Sequence, residues 1–296
     1  MLQSAINLSE GRDPQLLERV RACLEEIPGA CLADLSMDPD HHRMVASLLG
    51  SPGALREAVL RLFELADQSI DLRRHSGVHP RVGAIDVVPF VALGTSPPQV
   101  ALELAAEVAE AVANRFEVPV ILYELSARRP ENVALPDLRR GGLEGAARRL
   151  QDIPPDFGPA RLHPRLGLTV MGARPALVAF NLVLGSGDLN LAKKLAAALR
   201  GYPGVRALGL WLESRERAQV SVNLTRPAEF GMLQAFQTVE QGAREAGGSI
   251  ESCELIGLAP ARAFSDIARH FLKLEGLQPS QLLESNLLTW RPDAPS

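Results

Sequence analysis

The sequence predicts an α/β protein (α+β in overall class) of two subdomains, each a mixed β-sheet covered by helices, with a ligand groove between them. Helix-spaced and strand-like apolar segments alternate along the chain, which is the pattern of sheets with helices packed on their faces. The alternation runs in two sets that part near Gly172, Ala173, Arg174 and Pro175, which sets the subdomains at residues 1–173 and 174–296. The 296 residues, 46% of them hydrophobic, suffice for one large core or two modest ones. A cleft between two such units is a common place for a small-molecule site.

In the first set, residues 14–26 read as a helix, with Asp13 as N-cap and Pro14 in the first turn. Residues 31–35 read as a short buried strand and residues 45–50 as another. Residues 52–69 form a helix with Leu55, Val59, Leu62, Phe63 and Ala66 on one face. A strongly apolar strand covers residues 85–93, a long alanine-rich helix 97–116, a buried strand 118–123 and a short helix 143–150. In the second set, strands are expected at 168–171, 176–184, 207–212, 218–224 and 250–256. Helices are expected at 188–200, 229–246 and 260–274, and the proline-rich end from Trp290 to Ser296 reads as loose.

Composition excludes several classes of function. A net charge of -4 and a pI near 5.9 lack the basic footprint of a nucleic-acid binder. The chain has no apolar run long enough for a membrane span, and residues 1–13 lack the basic-then-apolar order of a signal peptide, so a cytoplasmic protein is expected. Cys23, Cys31 and Cys253 are odd in number and have no metal-type spacing, which predicts buried free thiols. Lysine occurs only at Lys193, Lys194 and Lys273, and arginine supplies the remaining basic residues. Such a bias follows from a GC-rich genome or a heat-adapted host, and it also suits a protein that grips carboxylates with bidentate forks.

Four polar stretches could carry chemistry. The richest runs from His75 to Phe90, where Gly77, Pro80 and Gly83 prevent a regular helix and Arg73, Arg74, Arg81 and Asp86 crowd His75 and His79. Histidine both takes and gives protons near neutrality, and such loops at strand ends concentrate binding and catalytic groups. A second stretch, Asn7 to Asp13, reads either as a strand end running into a helix cap or as a site lined by Asn7, Ser9 and Glu10. A third, Asp38 to Arg43, sets acids beside His41 and His42, but the candidate ligands are adjacent rather than spaced for a metal. The fourth, residues 155–167, is too proline-rich for a flexible linker and offers Arg161, His163 and Arg165 to an anion. No Walker or dinucleotide glycine pattern is present.

Taken together, these stretches resemble the formiminotransferase family (the glutamate formimidoyltransferases), in order along nearly the whole chain. The family pattern P-N-F-S-E-G-R corresponds to Ile6-Asn7-Leu8-Ser9-Glu10-Gly11-Arg12. The D-x-D-H-N-R-[ST] segment corresponds to Asp38-Pro39-Asp40-His41-His42-Arg43-Met44. The long H-x-G-E-H-P-R-x-G-A-x-D-V-x-P-F signature corresponds to His75 through Phe90, with Val78 in place of Glu. P-D-F-G-P is Pro155 to Pro159, and G-A-R-x-x-L-I-A-F-N-x-N-L is Gly172 to Leu184. Q-V-S-x-N-L is Gln219 to Leu224, and S-E-L-V-G-L-x-P is Cys253 to Pro260. Departures fall at Val78, at His42 and Met44 in place of Asn and Ser/Thr, and at Val183 in place of Asn. They are expected to cluster in the substrate region rather than the core.

The resemblance implies transfer of a formimino group from N-formiminoglutamate to tetrahydrofolate, a co-substrate, with no metal. It covers the transferase region without a cyclodeaminase part, and it implies a folate groove between two subdomains and a homodimer. The family's catalytic histidine corresponds to His79. Its folate-lining stretch corresponds to Gly158, Pro159, Ala160, Arg161, Leu162, His163, Pro164, Arg165, Leu166 and Gly167. Asn7, Asp40, His42, Arg43, Asn181 and Asn223 are further substrate-binding candidates, and Asp86 or the pair Asp38 and Asp40 could orient the imidazole. Three other readings of the same residues stand beside this one. They are a non-catalytic folate- or anion-binding paralogue, a one-carbon transferase with a different donor, and a metal-dependent hydrolase using His41, His42 and Asp40.

Overall fold

The structure, a computed structural model, describes residues 1–274 and 277–289; the expected loose end at 290–296 lies outside the described residues. Its internal contacts divide the chain into two compact units, Met1–Arg174 and Pro175–Ser296. The first unit is ordered β1 (Leu2–Leu8), α1 (Pro14–Glu25), β2 (Ala30–Asp38), β3 (Arg43–Gly50), α2 (Pro52–Ser69), β4 (Ile85–Ala92) and α3 (Pro98–Phe116). It continues with β5 (Val120–Leu122), α4 (Leu135–Leu138), α5 (Gly142–Asp152) and β6 (Thr169–Ala173). Local chemistry sets the helix starts. Asp13 Oδ1 accepts the Gln15 and Leu16 N–H groups ahead of Pro14, and Ser51 Oγ accepts the Ala54 N–H ahead of α2.

The six strands pair in the order β2-β3-β1-β4-β6-β5. β1 runs antiparallel to both β3 and β4, whereas β4, β6 and β5 are mutually parallel. Helices α1, α2 and α3 cover one face, where Ile6, Leu8, Met44, Leu48, Val88 and Phe90 meet Leu55, Phe63 and Val108 in a closed core. On the other face Val87, Ile121 and Val170 pack against Leu138, Ala146 and Leu150 of α4 and α5. Strand alternation places Asn7 on this second face beside Val87 of β4, with Arg43 and Ser47 of β3 on the same face.

The second unit is β7 (Val178–Leu184), α6 (Leu189–Leu199), β8 (Val205–Leu212), β9 (Arg217–Leu224), α7 (Met232–Glu245), β10 (Ile250–Ile256), α8 (Ser265–Leu272) and α9 (Leu283–Thr289). Its antiparallel sheet is ordered β10-β7-β9-β8. Phe180, Leu182, Val220 and Val222 face α6 and α7, so Asn181 and Asn223 alternate onto the opposite face. The expected single helix over 260–274 is a 3₁₀ turn, Ala261–Phe264, followed by α8.

Three expectations need correction. The thiols are not uniformly buried: Cys31 and Cys253 are exposed because β2 and β10 are sheet edges, and Cys23 is half-buried. For the same reason the strand expected to be short and buried at 31–35 is a longer edge strand with no fully buried residue. Of the departures assigned to the substrate region, Met44 lies wholly inside the helix-side core and Val183 is also fully buried, whereas Val78 is 43% exposed. Among the described residues no helix is long and apolar enough to cross a membrane.

Candidate active site

Sheet order brings three loops to one place. Leu8 pairs with Met44 on one side and Ile85 on the other, so the end of β1 lies beside the starts of β3 and β4. The loop after β1, the β2–β3 turn and the segment leading into β4 therefore converge at one end of the sheet. Two glycines permit the close approach. A Cβ on Gly11 would lie 2.2 Å from the Arg43 nitrogen, and one on Gly77 would lie 2.6 Å from Arg81 Nη2 and 2.9 Å from the His41 carbonyl oxygen.

Glu10 organises the first loop. Its Oε1 accepts the N–H groups of Gly11, Arg12 and Asp13 at 2.9, 2.7 and 3.1 Å, and it faces His42 Nε2 at 3.1 Å. Burial pushes this carboxyl up. The Arg12 and Asp13 N–H groups and His42 outweigh burial and hold it below its ordinary value. His42 is buried and has a left-handed backbone, φ 48°. Its Nδ1–H donates to the Ser76 carbonyl at 2.8 Å, and its ring stacks on His75 with centroids 3.7 Å apart. With both ring nitrogens occupied by these contacts, neither is available to ligate a metal. Among the described residues no three His, Cys, Asp or Glu side chains are grouped as metal ligands would be.

Arg81 locks the loops together. Its Nη1 donates to the His42 carbonyl at 2.8 Å, and its Nη2 donates to the carbonyls of His41 at 2.8 Å and His79 at 2.9 Å. Nη1 also lies 2.6 Å from His75 Nε2. Burial, with the nearby Arg81 and His42 charges, lowers the His75 pKa to about 4, so His75 serves Arg81 as a neutral acceptor. Burial likewise lowers Arg81 to about 10, where it stays charged at neutrality. Arg12 Nε adds a bond to the Pro39 carbonyl at 3.0 Å, and the Val78 N–H reaches the Asp40 carbonyl at 3.4 Å.

His79 is half-buried within this frame. Its Nδ1–H donates to the Pro80 carbonyl at 2.9 Å, and its Nε2 receives Arg43 Nη1 at 2.7 Å. Those two contacts fix one tautomer, with the lone pair on Nε2. Burial lowers the His79 pKa well below the ordinary histidine value, and the charges of Arg43 and Arg139 lower it further. The ring is therefore neutral at pH 7, rather than balanced between its two protonation states as its residue type alone suggests. The orienting group is a backbone carbonyl. Asp86 instead accepts the Val82 N–H at 2.8 Å and forms a buried ion pair with Arg139 from the end of α4, while Asp38 Oδ1 accepts the His41 N–H at 2.8 Å.

Of the sequence candidates, His42, Arg43 and His79 come into direct contact with one another or with shared partners, and Asp40 joins through its backbone. Asn7 sits one residue back on β1; its Nδ2 donates to the Ala5 carbonyl at 2.9 Å and its buried Oδ1 has no partner among the described residues. Asn181 (buried) and Asn223 (half-buried) belong to the second unit. In the stretch 158–167, Gly158 and Gly167 take φ values of 85° and 72°. His163 Nδ1 accepts the Leu166 N–H at 2.9 Å, Arg165 lies 3.8 Å from Asp67, Leu166 is buried, and Arg161 is exposed. Its far end is stitched to both flanks of the histidine loop. Leu72 N–H donates to the Arg165 carbonyl, Ala84 N–H to that of Leu166, and Leu168 N–H to that of Val82, each at 2.9 Å. Arg139 was not among the sequence candidates. It lies far along the chain from Asp86 and carries no local pattern that marks it.

Comparison with known proteins identifies the family. The description "formiminotransferase domain, N-terminal subdomain" matches residues 1–174, and "formiminotransferase domain" matches residues 179–286. A glutamate formimidoyltransferase of Streptococcus pyogenes serotype M1 is 38% identical over 289 residues, which is 95% of this chain and 97% of that protein. One from Thermoplasma acidophilum is 30% identical, covering 97% of each chain. A formimidoyltransferase-cyclodeaminase of Rattus norvegicus is 32% identical over 94% of this chain but 53% of its own length. The chain belongs to the formiminotransferase family.

Proposed function

We propose that this protein transfers the formimino group of N-formiminoglutamate to tetrahydrofolate, giving 5-formiminotetrahydrofolate and glutamate. The observation that carries the reading is His79, a neutral imidazole with its lone pair on Nε2, set among arginines that suit two carboxylate-bearing substrates. The whole-length relatives named glutamate formimidoyltransferase supply the reaction class. In this reading folate N5 attacks the amidine carbon, a C–N bond forms, and a tetrahedral intermediate results. His79 Nε2 takes the proton from N5 and returns it to the glutamate nitrogen as the second C–N bond breaks. The stretch Gly158 to Gly167 is assigned to folate. Two copies of the chain form the working unit, as the family resemblance implies, and its place is the cytoplasm.

The test is a turnover assay on purified protein with both substrates. Formimino transfer is expected, with kcat reduced by about 10²- to 10⁴-fold in His79→Ala. Full activity in that variant would remove His79 from the mechanism, and no transfer by the unaltered protein would overturn the function.

A further inference from the structure

We infer that Arg43 is the receptor for the donor's α-carboxylate and, until the donor arrives, the cap on the His79 lone pair. The inference rests on the function proposed above and deepens it. Three observations at the site lead to it. First, Arg43 Nη1 sits 2.7 Å from His79 Nε2, the atom that must be empty to take a proton. Second, Arg43 Nε is buried without a partner among the described residues, so that donor of the planar fork is unused. Third, Arg43 lies in the field of Arg139 and Arg81, and the nearby carboxylates are already engaged. Asp86 pairs with Arg139, and Asp38 accepts the His41 N–H. A guanidinium with a buried, unpartnered Nε donor, set close to a second cation, Arg81, is suited to receive an anion.

Both substrates carry carboxylates, but they differ in where these lie relative to the reacting nitrogen. In N-formiminoglutamate the α-carboxylate is one carbon from the nitrogen that leaves. In tetrahydrofolate the carboxylates lie beyond the aminobenzoyl ring from N5. A receptor in contact with the base therefore matches the donor. When the carboxylate pairs with Nε, the guanidinium turns toward it, Nη1 leaves His79 Nε2, and the proton acceptor is exposed only with the donor in place. The donor's carboxylate keeps its charge throughout, and no bond to it is made or broken.

The test compares Arg43→Gln and Arg43→Lys with the unaltered protein. Arg43→Gln should raise the KM for N-formiminoglutamate by roughly 10- to 100-fold, the loss of a charge-assisted pair, with a much smaller change in the KM for tetrahydrofolate. Arg43→Lys keeps the charge without the fork and should recover part of that loss. The acid limb of kcat/KM should move up toward pH 6.5 in Arg43→Gln, because His79 has lost both the cap and a neighbouring cation. Nitrogen NMR of the His79 ring gives a readout independent of turnover. L-glutamate should shift Nε2 in the unaltered protein and leave it unmoved in Arg43→Gln.

Equal donor KM values in all three proteins, or an unmoved acid limb, would overturn the inference. So would an Nε2 resonance that answers to tetrahydrofolate and not to glutamate. If the unaltered protein transfers no formimino group yet glutamate still shifts Nε2 only when Arg43 is present, the function falls and the carboxylate receptor stands. If Arg43→Gln does not fold, Arg43→Lys decides by the same KM split and the same resonance.

Discussion

Replacing Arg81 by lysine separates charge from geometry at the joint of the site. The guanidinium reaches three backbone carbonyls at once, those of His41, His42 and His79. An ammonium at the end of a similar stem is a point donor and can hold about one of the three. Two buried carbonyls then lose a partner, at about 1 kcal/mol net for each, so the folded state weakens by roughly 2 kcal/mol. In a cooperative unit of this size each kcal/mol moves the melting point by about 2–4 °C, which gives a fall of roughly 4–8 °C. The carbonyls released belong to the loop that carries His79. A displacement of about 1 Å at a reacting group costs on the order of 10²-fold in rate, so kcat should fall by about that much. Scanning calorimetry and the formimino-transfer assay on the same preparation measure both effects. An unchanged melting point with full activity would refute the claim that Arg81 holds these loops in place.

Other outcomes follow from the same contacts. His75 has its folded pKa lowered to about 4 and His79 has its own lowered well below 6.5, so both stabilise the folded state above pH 6.5 and oppose folding as pH falls below it. Urea unfolding stepped from neutrality down to about pH 4 should show steadily falling stability, with a shallower slope in His75→Gln, and a rise on acidification would contradict the assigned shifts. Asp86→Asn leaves the buried Arg139 charge uncompensated and should cost about 3–5 kcal/mol in denaturant unfolding. Adding Arg139→Met should recover part of that loss, and additive losses in the double variant would show that the two side chains do not act as a pair.

The helices were legible because their signals are local. Asp13-Pro14 announces α1, and the apolar stripe of Leu55, Val59, Phe63 and Ala66 fixes the buried face of α2. Edge position is not a local property. The strand over residues 31–35 looked apolar enough to be buried, and only the pairing order shows β2 at the rim with Cys31 exposed. The same division runs through the site. The histidines and arginines of residues 75–81 and the family motifs around them marked the loop, and the structure gathers His42, Arg43 and His79 there. What each residue does came from contacts across the chain. Met44 sits beside Arg43 in sequence yet faces the opposite side of β3 into the core, which alternation predicts once the register is known. Arg139 and Asp86 meet across 53 positions, and no spacing rule links them.

The bridge between Gly83 and Gly167, with its flanking bonds from Ala84 to Leu166 and from Leu168 to Val82, sets a timetable for the nascent polypeptide. A ribosome that has just released Phe90 has delivered every histidine and arginine of the β1, β2–β3 and 75–84 loops, but not the segment that braces them. Their arrangement must wait until residue 168 has emerged. Shortening the gene between codons 90 and 168 should therefore yield chains that carry the right chemistry on an unsupported loop.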